Sequence, residues 1–259
     1  MRILAISSQV AYGPVGNTAA VPALQADGHE VMAVPTITLS NHPGHGKPVG
    51  FRTEAAQLRA ILEALDRLGA LNTCSAVLTG YFASADQVGA VATVVGGMKA
   101  GLPSLHVLVD PVIGDGNSLY VPQDVAEAIR DELLPLATCV TPNCFELEWL
   151  TGSKVTDVGS AIAAARQLAV AEVLATSIPA GPDQLATLAI GKGAVTEWAS
   201  PLKPGVPHGT GDFLAGLYLA QRLLHQPKVA LPRAMTILEA AIDRSAGSSV
   251  LDIAGALRT

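Results

Sequence analysis

Short apolar runs alternate along the chain with longer segments whose apolar residues recur at helical spacing. The short runs predict buried strands, at residues 3–6, 30–34, 76–79, 105–109, 139–141 and 173–176. The periodic segments predict helices, at residues 18–25, 54–68, 85–100, 121–134, 161–168, 209–224 and 231–248. Because strands alternate with helices, the pattern predicts an α/β fold in which a mostly parallel central sheet carries helices on both faces.

One pair of runs departs from this alternation. Residues 185–190 and 194–198 flank the turn Gly191-Lys192-Gly193, which predicts a β-hairpin. No linker divides the sequence into two cores, so we expect one domain over residues 1–259.

The composition of the chain argues against some classes of binding partner. Of the 259 residues, 49% are hydrophobic, which is ample for a buried core, and the net charge is −6. The sequence has no run of Lys or Arg and no apolar run of transmembrane length, so neither nucleic acid nor a membrane is an expected partner. Cys74, Cys139 and Cys144 show no Cys-x-x-Cys spacing, which predicts neither a disulfide framework nor a zinc site. A reducing cytoplasm is therefore the expected location.

The stretch Gly209-Thr210-Gly211-Asp212 precedes an apolar helical run and predicts an anion site. Glycines allow close approach of the backbone, and the first amides of a helix have no acceptor within the helix. The helix dipole adds partial positive charge at the same place. Asp212 has two interpretations: a base that takes a proton from an attacking hydroxyl, or a helix cap.

A second polar stretch, Asp110-Pro111-Val112-Ile113-Gly114-Asp115-Gly116, follows a predicted strand. Its two carboxylates suit a hard cation such as Mg²⁺, although such side chains also stabilise ordinary turns. Glu146 lies three residues after Asn143, a spacing typical of a capping box. Glu146 is thus both a helix-capping candidate and a third acid at the same edge of the sheet.

Two further segments hold candidate ligand contacts. His42 and His45 occupy a loop rich in Gly and Pro, where each is either a ligand or an ordinary solvated histidine. Tyr81 follows a predicted strand and either stacks on a flat ligand or packs with its hydroxyl at the surface.

Over nearly all of its 259 residues, the chain resembles the pyridoxal kinases of the ribokinase superfamily. The motifs that carry the resemblance occur in the order of the family: Ile6-Ser7-Ser8-Gln9-Val10-Ala11-Tyr12-Gly13, Ser40-Asn41-His42, Thr79-Gly80-Tyr81, Asp110-Pro111-Val112-Ile113-Gly114-Asp115, Thr141-Pro142-Asn143 with Glu146, and Gly209-Thr210-Gly211-Asp212. The last motif indicates only a ribokinase-like protein, whereas the first two are more specific to pyridoxal kinases. The resemblance implies a ribokinase-like three-layer fold.

The resemblance also implies a role for each motif residue. Asp212 would be the base, with Gly209, Thr210 and Gly211 forming the anion hole for the transferred phosphoryl group. The groups that would hold the vitamin are Ser8, His42, Tyr81 and Asp212. Those that would hold ATP are Asp110, Asn143, Thr176, Ser177, Gly209 and Thr210. Those that would organise a metal are Asp110, Asp115, Thr141 and Glu146, with Thr141 also a candidate for a monovalent cation or phosphate.

The implied activity is ATP-dependent, Mg²⁺-requiring phosphorylation of the 5′-hydroxymethyl group of pyridoxal, pyridoxamine or pyridoxine in vitamin B6 salvage, by a cytoplasmic homodimer. Two alternatives stay open: a hydroxymethylpyrimidine kinase, and a pyridoxal-binding homologue without turnover. The sequence departs from the family at three places. Pro43 stands where a threonine is usual, Gln9 replaces a histidine, and the segment between residues 177 and 209 is short and poor in charge.

Overall fold

A nine-stranded sheet forms the centre of the computed structural model, which describes residues 1–116 and 118–258. The strands are β1 (Arg2–Tyr12), β2 (Glu30–Asn41), β3 (Gly50–Arg52), β4 (Cys74–Thr79), β5 (His106–Val109), β6 (Gly114–Asp115), β7 (Ser118–Leu119), β8 (Cys139–Val140), β9 (Glu172–Pro179), β10 (Gln184–Gly191) and β11 (Val195–Pro201). The order across the sheet is β11-β10-β9-β8-β5-β4-β1-β2-β3, and β6 pairs separately with β7. The six strands from β9 to β2 are parallel, while β3, β10 and β11 add antiparallel edges.

Helices cover both faces of this sheet. They are α1 (Asn17–Ala26), α2 (Ala55–Arg67), α3 (Ala85–Gly101), α4 (Gln123–Ala128), α5 (Cys144–Thr151), α6 (Val158–Ala165), α7 (Thr210–Arg222), α8 (Pro227–Arg244) and α9 (Ile253–Ala256). Alternate residues of a strand point to opposite faces, so Ile3 and Ala5 pack under α1, α7 and α8, whereas Leu4 and Ile6 pack under α2 and α3. A third cluster joins α5 and α6 to β8, β9 and β10.

The predicted fold class is confirmed, and the hairpin predicted over residues 185–198 is the antiparallel pair β10–β11. The first predicted strand, residues 3–6, is too short. Pairing of β1 with β2 continues past Ser7 to Tyr12, with an irregularity between Ser7 and Gln9. Backbone hydrogen bonds do not need apolar side chains, so hydrophobicity alone does not show where this strand ends. For the same reason β2 reaches Asn41, and β3, with Phe51 as its one apolar residue, has no alternating apolar pattern.

The helix predicted over residues 121–134 is α-helical only in α4. A π-helical turn follows at Ile129–Leu133, in which the Leu134 amide donates to the Ile129 carbonyl, and a 3-10 turn occupies Leu134–Leu136. Pro135 has no amide hydrogen to continue a helical ladder, which accounts for this irregular ending.

Helices α1 and α7 pack closely on one face of the sheet. A Cβ atom at Gly216 would lie 2.7 Å from the Ala20 carbonyl oxygen and 3.0 Å from the Ala23 Cβ. At the far end of the same interface, the Gln221 amide donates to the Asp27 carboxylate at 2.6 Å, across 194 positions of the sequence. Gly216 therefore sets the distance between the two helices.

No helix in the described parts of the chain is long and apolar enough to cross a membrane.

The close packing of α1 against α7 predicts that replacing two helical glycines with alanine changes the free energy of unfolding in opposite directions. Gly216→Ala should lower the free energy of unfolding by about 1–3 kcal/mol, because the added methyl group meets backbone atoms of α1. Gly97→Ala is the matched control, since Gly97 lies exposed in α3 with no atom within 4 Å of the new methyl group. It should raise the free energy of unfolding by about 0.5–1 kcal/mol through helix propensity. Urea unfolding of both variants measures this, and equal effects would contradict the packing argument.

Candidate active site

The strand order reverses beside β1, which has β2 on one side and β4 on the other. In open α/β sheets, ligands bind at such a switch point, outside the carboxyl ends of the strands. Here the Gly80 amide donates to the Ile6 carbonyl at 2.9 Å, and the Tyr81 amide donates to the Ser7 hydroxyl at 3.1 Å. The segment after β4 is thereby fixed against β1 and forms one wall of the crevice.

The carboxylate of Asp212 faces this crevice from the first turn of α7. A Cβ atom at Gly80 would lie 3.9 Å from its Oδ1. The amides of Gly16 and of Asp212 itself donate to the carboxylate, which favours its charged form. Burial has the larger effect and raises the pKa of Asp212 to about 6. A carboxylate with this pKa is largely ionised at neutral pH and is a better proton acceptor than an ordinary aspartate.

The start of α7 is held in place by the loop between β1 and α1. Gly209, the N-cap of α7, has a φ of 97°, and a Cβ atom there would lie 2.0 Å from the Pro14 carbonyl oxygen. No other residue fits this position without moving the loop. The amides of Thr210 and Gly211 follow in the first turn, where a helix supplies no acceptor of its own. This end of α7 has the form of an anion site.

Asp110 lies at the end of β5 and is buried. The Thr141 hydroxyl, at the end of β8, donates to its Oδ1 at 2.8 Å. Burial, together with the negative charge of Asp212, raises the pKa of Asp110 to about 8, against the smaller opposite effect of the Thr141 bond. The two aspartates are therefore close enough to repel each other.

Glu146 forms the capping box that its spacing predicts. The Glu146 amide donates to Asn143 Oδ1 at 2.9 Å, and the Asn143 amide donates to Glu146 Oε2 at 2.8 Å. The Ile113 amide donates to Oε1 at 3.1 Å, which ties the segment after β5 to α5. Burial and the charge of Asp110 nevertheless raise the pKa of Glu146 well above its usual value. The capping interpretation of Glu146 is confirmed, and its metal role stays a prediction.

The carboxyl groups of Glu146, Asp110 and Asp212 thus form a row in which each influences the next. Among the described residues, no Lys or Arg side chain forms an ion pair with any of them. A row of buried acids without a fixed positive partner suits a bound cation. Across residues 1–116 and 118–258, however, no three His, Cys, Asp or Glu side chains are arranged to chelate a metal directly. Water and phosphate oxygens would complete the shell, as is usual for Mg²⁺.

Asp115 lies apart from this row, on the small hairpin of β6 and β7. It is exposed, accepts a hydrogen bond from the Gly116 amide at 2.6 Å, and bonds to the Tyr120 hydroxyl. Its metal role stays a prediction.

Asn143, the N-cap of α5, lies beside Thr176 and Ser177 in the second half of β9. A parallel bridge joins Asn143 to Thr176, and the Asn143 side-chain amide donates to the Gly114 carbonyl at 2.8 Å. The pairing of β9 with β10 is irregular at this point, and Ser177 adopts a φ of 56°. A bulge with a left-handed, non-glycine residue is uncommon and is often found beside functional sites. These residues flank the acidic row on the side away from β1, because β8 and β9 lie on that side in the sheet.

The other predicted ligand residues lie on the β1 side. Ser8 is buried against Gly16, whose position has no room for a Cβ atom because Ser8 Oγ would be 2.2 Å away. Tyr81 is half-buried, and burial raises the pKa of its hydroxyl. His42 is half-buried, with its ring centroid 4.3 Å from that of His208. His208 is a site neighbour that sequence reasoning missed.

Ser7, part of the first motif, received no predicted role of its own, although its hydroxyl holds Tyr81 in place and lies 2.5 Å from where a Gly80 Cβ would be. Alternation along the strand could have indicated this contact, because Ser7 and Ser8 point to opposite faces of β1 and therefore have different neighbours.

Known proteins match this chain in both sequence and fold. The model of the phosphomethylpyrimidine kinase family matches residues 18–253. A pyridoxal kinase PdxY from Granulibacter bethesdensis is 36% identical over 267 aligned residues, which cover 98% of this chain and 93% of that protein.

Solved structures agree with the sequence matches. Pyridoxal kinase from Entamoeba histolytica has a TM-score of 0.93 and 27% identity, covering 99% of this chain and 94% of that one. Pyridoxal kinase from Leishmania donovani, solved with ADP and pyridoxamine, has a TM-score of 0.89 and 32% identity, covering 99% and 91%. These matches define a kinase of the ribokinase superfamily. Within that superfamily, the chain belongs to the pyridoxal kinase family.

The buried Asp110 predicts a pH dependence of stability. Its pKa is about 8 in the folded protein and close to 3.8 when unfolded, so the folded state binds more protons between these values. Stability should therefore fall as the pH rises through this range, by at most about 1.4 kcal/mol per pH unit. Asp110→Asn cannot titrate but can still accept the Thr141 bond, so it should gain stability relative to wild type between pH 5 and pH 8.

Urea unfolding at pH 5, 6.5 and 8 measures this difference, with Asp66→Asn on the exposed face of α2 as the matched control. If the free energy of unfolding changed with pH in the same way for wild type and Asp110→Asn, the raised pKa of Asp110 would be contradicted.

Proposed function

We propose that this chain transfers the γ-phosphoryl group of ATP to the 5′-hydroxymethyl group of pyridoxal, pyridoxamine or pyridoxine, in vitamin B6 salvage. One observation carries the proposal: the Asp212 carboxylate, with a pKa of about 6, stands at the N-terminus of α7 and at the switch point of the sheet. A base and an anion site side by side are what transfer of a phosphoryl group to an alcohol requires. The family relationship supplies the substrate class.

In the proposed reaction, Asp212 accepts the proton of the vitamin hydroxyl while that oxygen attacks the γ-phosphorus. The bond between the γ-phosphorus and the β,γ-bridging oxygen breaks, and ADP leaves with the electron pair. The amides of Thr210 and Gly211 stabilise the negative charge on the transferred group. Catalysis consists of positioning and charge stabilisation, because phosphoryl transfer needs little covalent help from the protein.

Donor and acceptor approach Asp212 from opposite sides in this proposal. ATP lies over the ends of β8 and β9, against Asn143, Thr176 and Ser177, with its phosphates directed to Asp110, Gly209 and Thr210. The vitamin lies over β1 and β4, where Ser8, Tyr81 and His42 hold the pyridine ring. Support comes from the strand order, which puts these two groups on either side of the acidic row.

We assign Mg²⁺ to the acidic row, with Asp110 and Glu146 closest, Asp115 and Thr141 contributing, and water completing the shell. Bound there, Mg²⁺ would neutralise phosphate charge. The raised pKa values of Asp110 and Glu146 support the assignment, because both carboxylates gain from a positive neighbour. A monovalent cation near Thr141 is part of the same proposal.

We further propose that residues 1–259 act as one kinase domain, that two copies form a homodimer, and that the protein works in the cytoplasm. Val49 and Phe51 are exposed apolar side chains next to or within edge strand β3, which supports a contact between copies. Free thiols at Cys74, Cys139 and Cys144 suit a reducing compartment.

A coupled assay of ADP release tests the function as a whole. Pyridoxal, pyridoxamine, pyridoxine and hydroxymethylpyrimidine are compared, each with and without Mg²⁺. We expect turnover with at least one B6 vitamer. Preference for hydroxymethylpyrimidine would identify the alternative kinase, and binding of pyridoxal without ADP release would identify a binding protein.

Replacement of the base gives the sharpest prediction. Asp212→Asn keeps the shape of the side chain and much of its capping ability but cannot accept the proton. Its kcat should fall by about 10²–10⁴-fold, while the dissociation constant for pyridoxal changes little. In the wild type, kcat should rise with pH through about 6, because only the ionised carboxylate accepts a proton.

Single-turnover transfer and a pyridoxal titration on the same preparation measure both quantities. Transfer at the wild-type rate by Asp212→Asn would remove Asp212 as the base.

The metal assignment predicts a shifted Mg²⁺ requirement for Asp115→Asn. The Mg²⁺ concentration for half-maximal turnover should rise more than the dissociation constant for pyridoxal, because one carboxylate near the metal loses its charge. Asp66→Asn, an equal change of charge on α2, should leave the Mg²⁺ titration unchanged. Coincident titrations for Asp115→Asn and wild type would take Asp115 out of the metal site.

A further inference from the structure

Three histidines from two separate segments meet at the β1 side of the crevice. His42 is the N-cap of the 3-10 turn Pro43–His45 between β2 and β3, and His45 is the last residue of that turn. His208 immediately precedes Gly209, the N-cap of α7. The ring centroids of His42 and His208 are 4.3 Å apart, and those of His42 and His45 are 6.3 Å apart. We call His42, His45 and His208 the histidine clasp.

The clasp is closely packed. A Cβ atom at Gly44 would lie 2.6 Å from His208 Nε2, and one at Gly13 would lie 2.6 Å from His45 Nε2. The ring of Tyr12, at the end of β1, packs edge-on against His45 with centroids 5.2 Å apart. Loop 42–46 therefore rests on β1 through His45 and on the approach to α7 through His208.

Hydrogen bonding within the loop depends on a neutral His42. The Gly44 amide donates to His42 Nδ1 at 3.2 Å, so Nδ1 must carry a lone pair and not a proton. The groups that face His42 are His208, from the segment before α7, and His45, from its own loop, and neither supplies a negative charge. Burial and these two neighbours lower the pKa of His42, so the geometry and the electrostatics both favour the neutral ring.

We propose that His208 is a positioning residue that holds loop 42–46 closed over the vitamin end of the site while the clasp is neutral, and that protonation of the clasp releases the loop. Protonation removes the acceptor at His42 Nδ1 and places like charges on rings in contact. Both changes disfavour the closed loop. His208 is joined to Gly209, so the same contact links the loop over the vitamin to the anion end of α7.

The inference rests on the proposed function only in naming the vitamin as the ligand under the loop. Closure of the loop itself is a property of the ligand-free chain. It can therefore be measured by hydrogen exchange without any turnover.

Two variants of His208 separate packing from charge. His208→Phe keeps a flat ring against His42 but cannot be protonated, whereas His208→Ala removes the ring. His225→Phe is the matched control, because His225 lies beyond the far end of α7, next to Arg233. His208 and His225 are both at the surface or half-buried, so neither change opens the core.

The first measurement is the protection factor of the amides of residues 42 and 44–46 in ligand-free protein between pH 5.5 and pH 8. In the wild type and in His225→Phe, protection should fall as the pH is lowered. Protection in His208→Phe should fall less, and His208→Ala should lose protection at every pH. Equal protection in wild type and His208→Ala would overturn the proposal that His208 holds the loop closed.

The second measurement is the pH dependence of KM for pyridoxal against that of kcat. In the wild type, KM should rise about three- to tenfold as the clasp is protonated, the size expected for one like-charge contact in a partly solvated site. His208→Phe should flatten KM but leave the pH dependence of kcat, which follows Asp212. If KM depended on pH in His208→Phe as it does in the wild type, the proposal that protonation of the clasp releases the loop would be overturned. A wild type with normal loop protection and no turnover would contradict the proposed function and leave the clasp standing.

Discussion

The burial of three carboxyl groups at one edge of the sheet is the constraint on which the rest of the site depends. Glu146, Asp110 and Asp212 are brought close by elements that must be there for the sheet to form, and each carries an electrostatic cost that the protein does not offset with a lysine or arginine. Protonation, which the raised pKa values of Asp110 and Glu146 favour, or a positive charge from outside relieves this repulsion without changing the fold. The raised pKa values of Asp110 and Glu146 express this cost, because burial and neighbouring negative charge both disfavour the ionised carboxylates. The same burial raises the pKa of Asp212 and so makes its carboxylate a better proton acceptor than an ordinary aspartate.

Two glycines with close backbone contacts fix the position of the loops around these carboxyl groups. Gly16 touches Ser8 so closely that a side chain is impossible there, and Gly209 does the same against Pro14. As a result, the first loop of the chain, the start of α7 and the end of β1 behave as one unit. Both glycines have positive φ angles, so the backbone itself, and not long side chains, sets where Asp212 points. The position of the Asp212 backbone is then set by these two close contacts.

Periodicity predicted the fold class because strands buried on both faces and their covering helices leave strong apolar patterns. It could not predict where β1 ends, since residues such as Ser7 and Gln9 pair through the backbone and leave no apolar signal. For the site, the short motifs around Asp110, Glu146 and Asp212 indicated the right edge of the sheet, because strand ends and helix starts are readable from sequence. The contact of His42 with His208 was not predictable. It joins segments with no shared pattern, and it exists only through three-dimensional packing.

The bond between Gln221 and Asp27 has a consequence for how the protein is made. These residues are 194 positions apart, and Gly16, in the loop that supports Asp212, is slightly farther from it in sequence. Contacts of such long range close large loops and form late in folding. During synthesis, α1 must wait for most of the chain to leave the ribosome before α7 can cover it. Its apolar face, with Ala19, Ala23 and Leu24, is uncovered on that side until then. The packing of α7 on α1 therefore covers this apolar face and positions Asp212 in the same step.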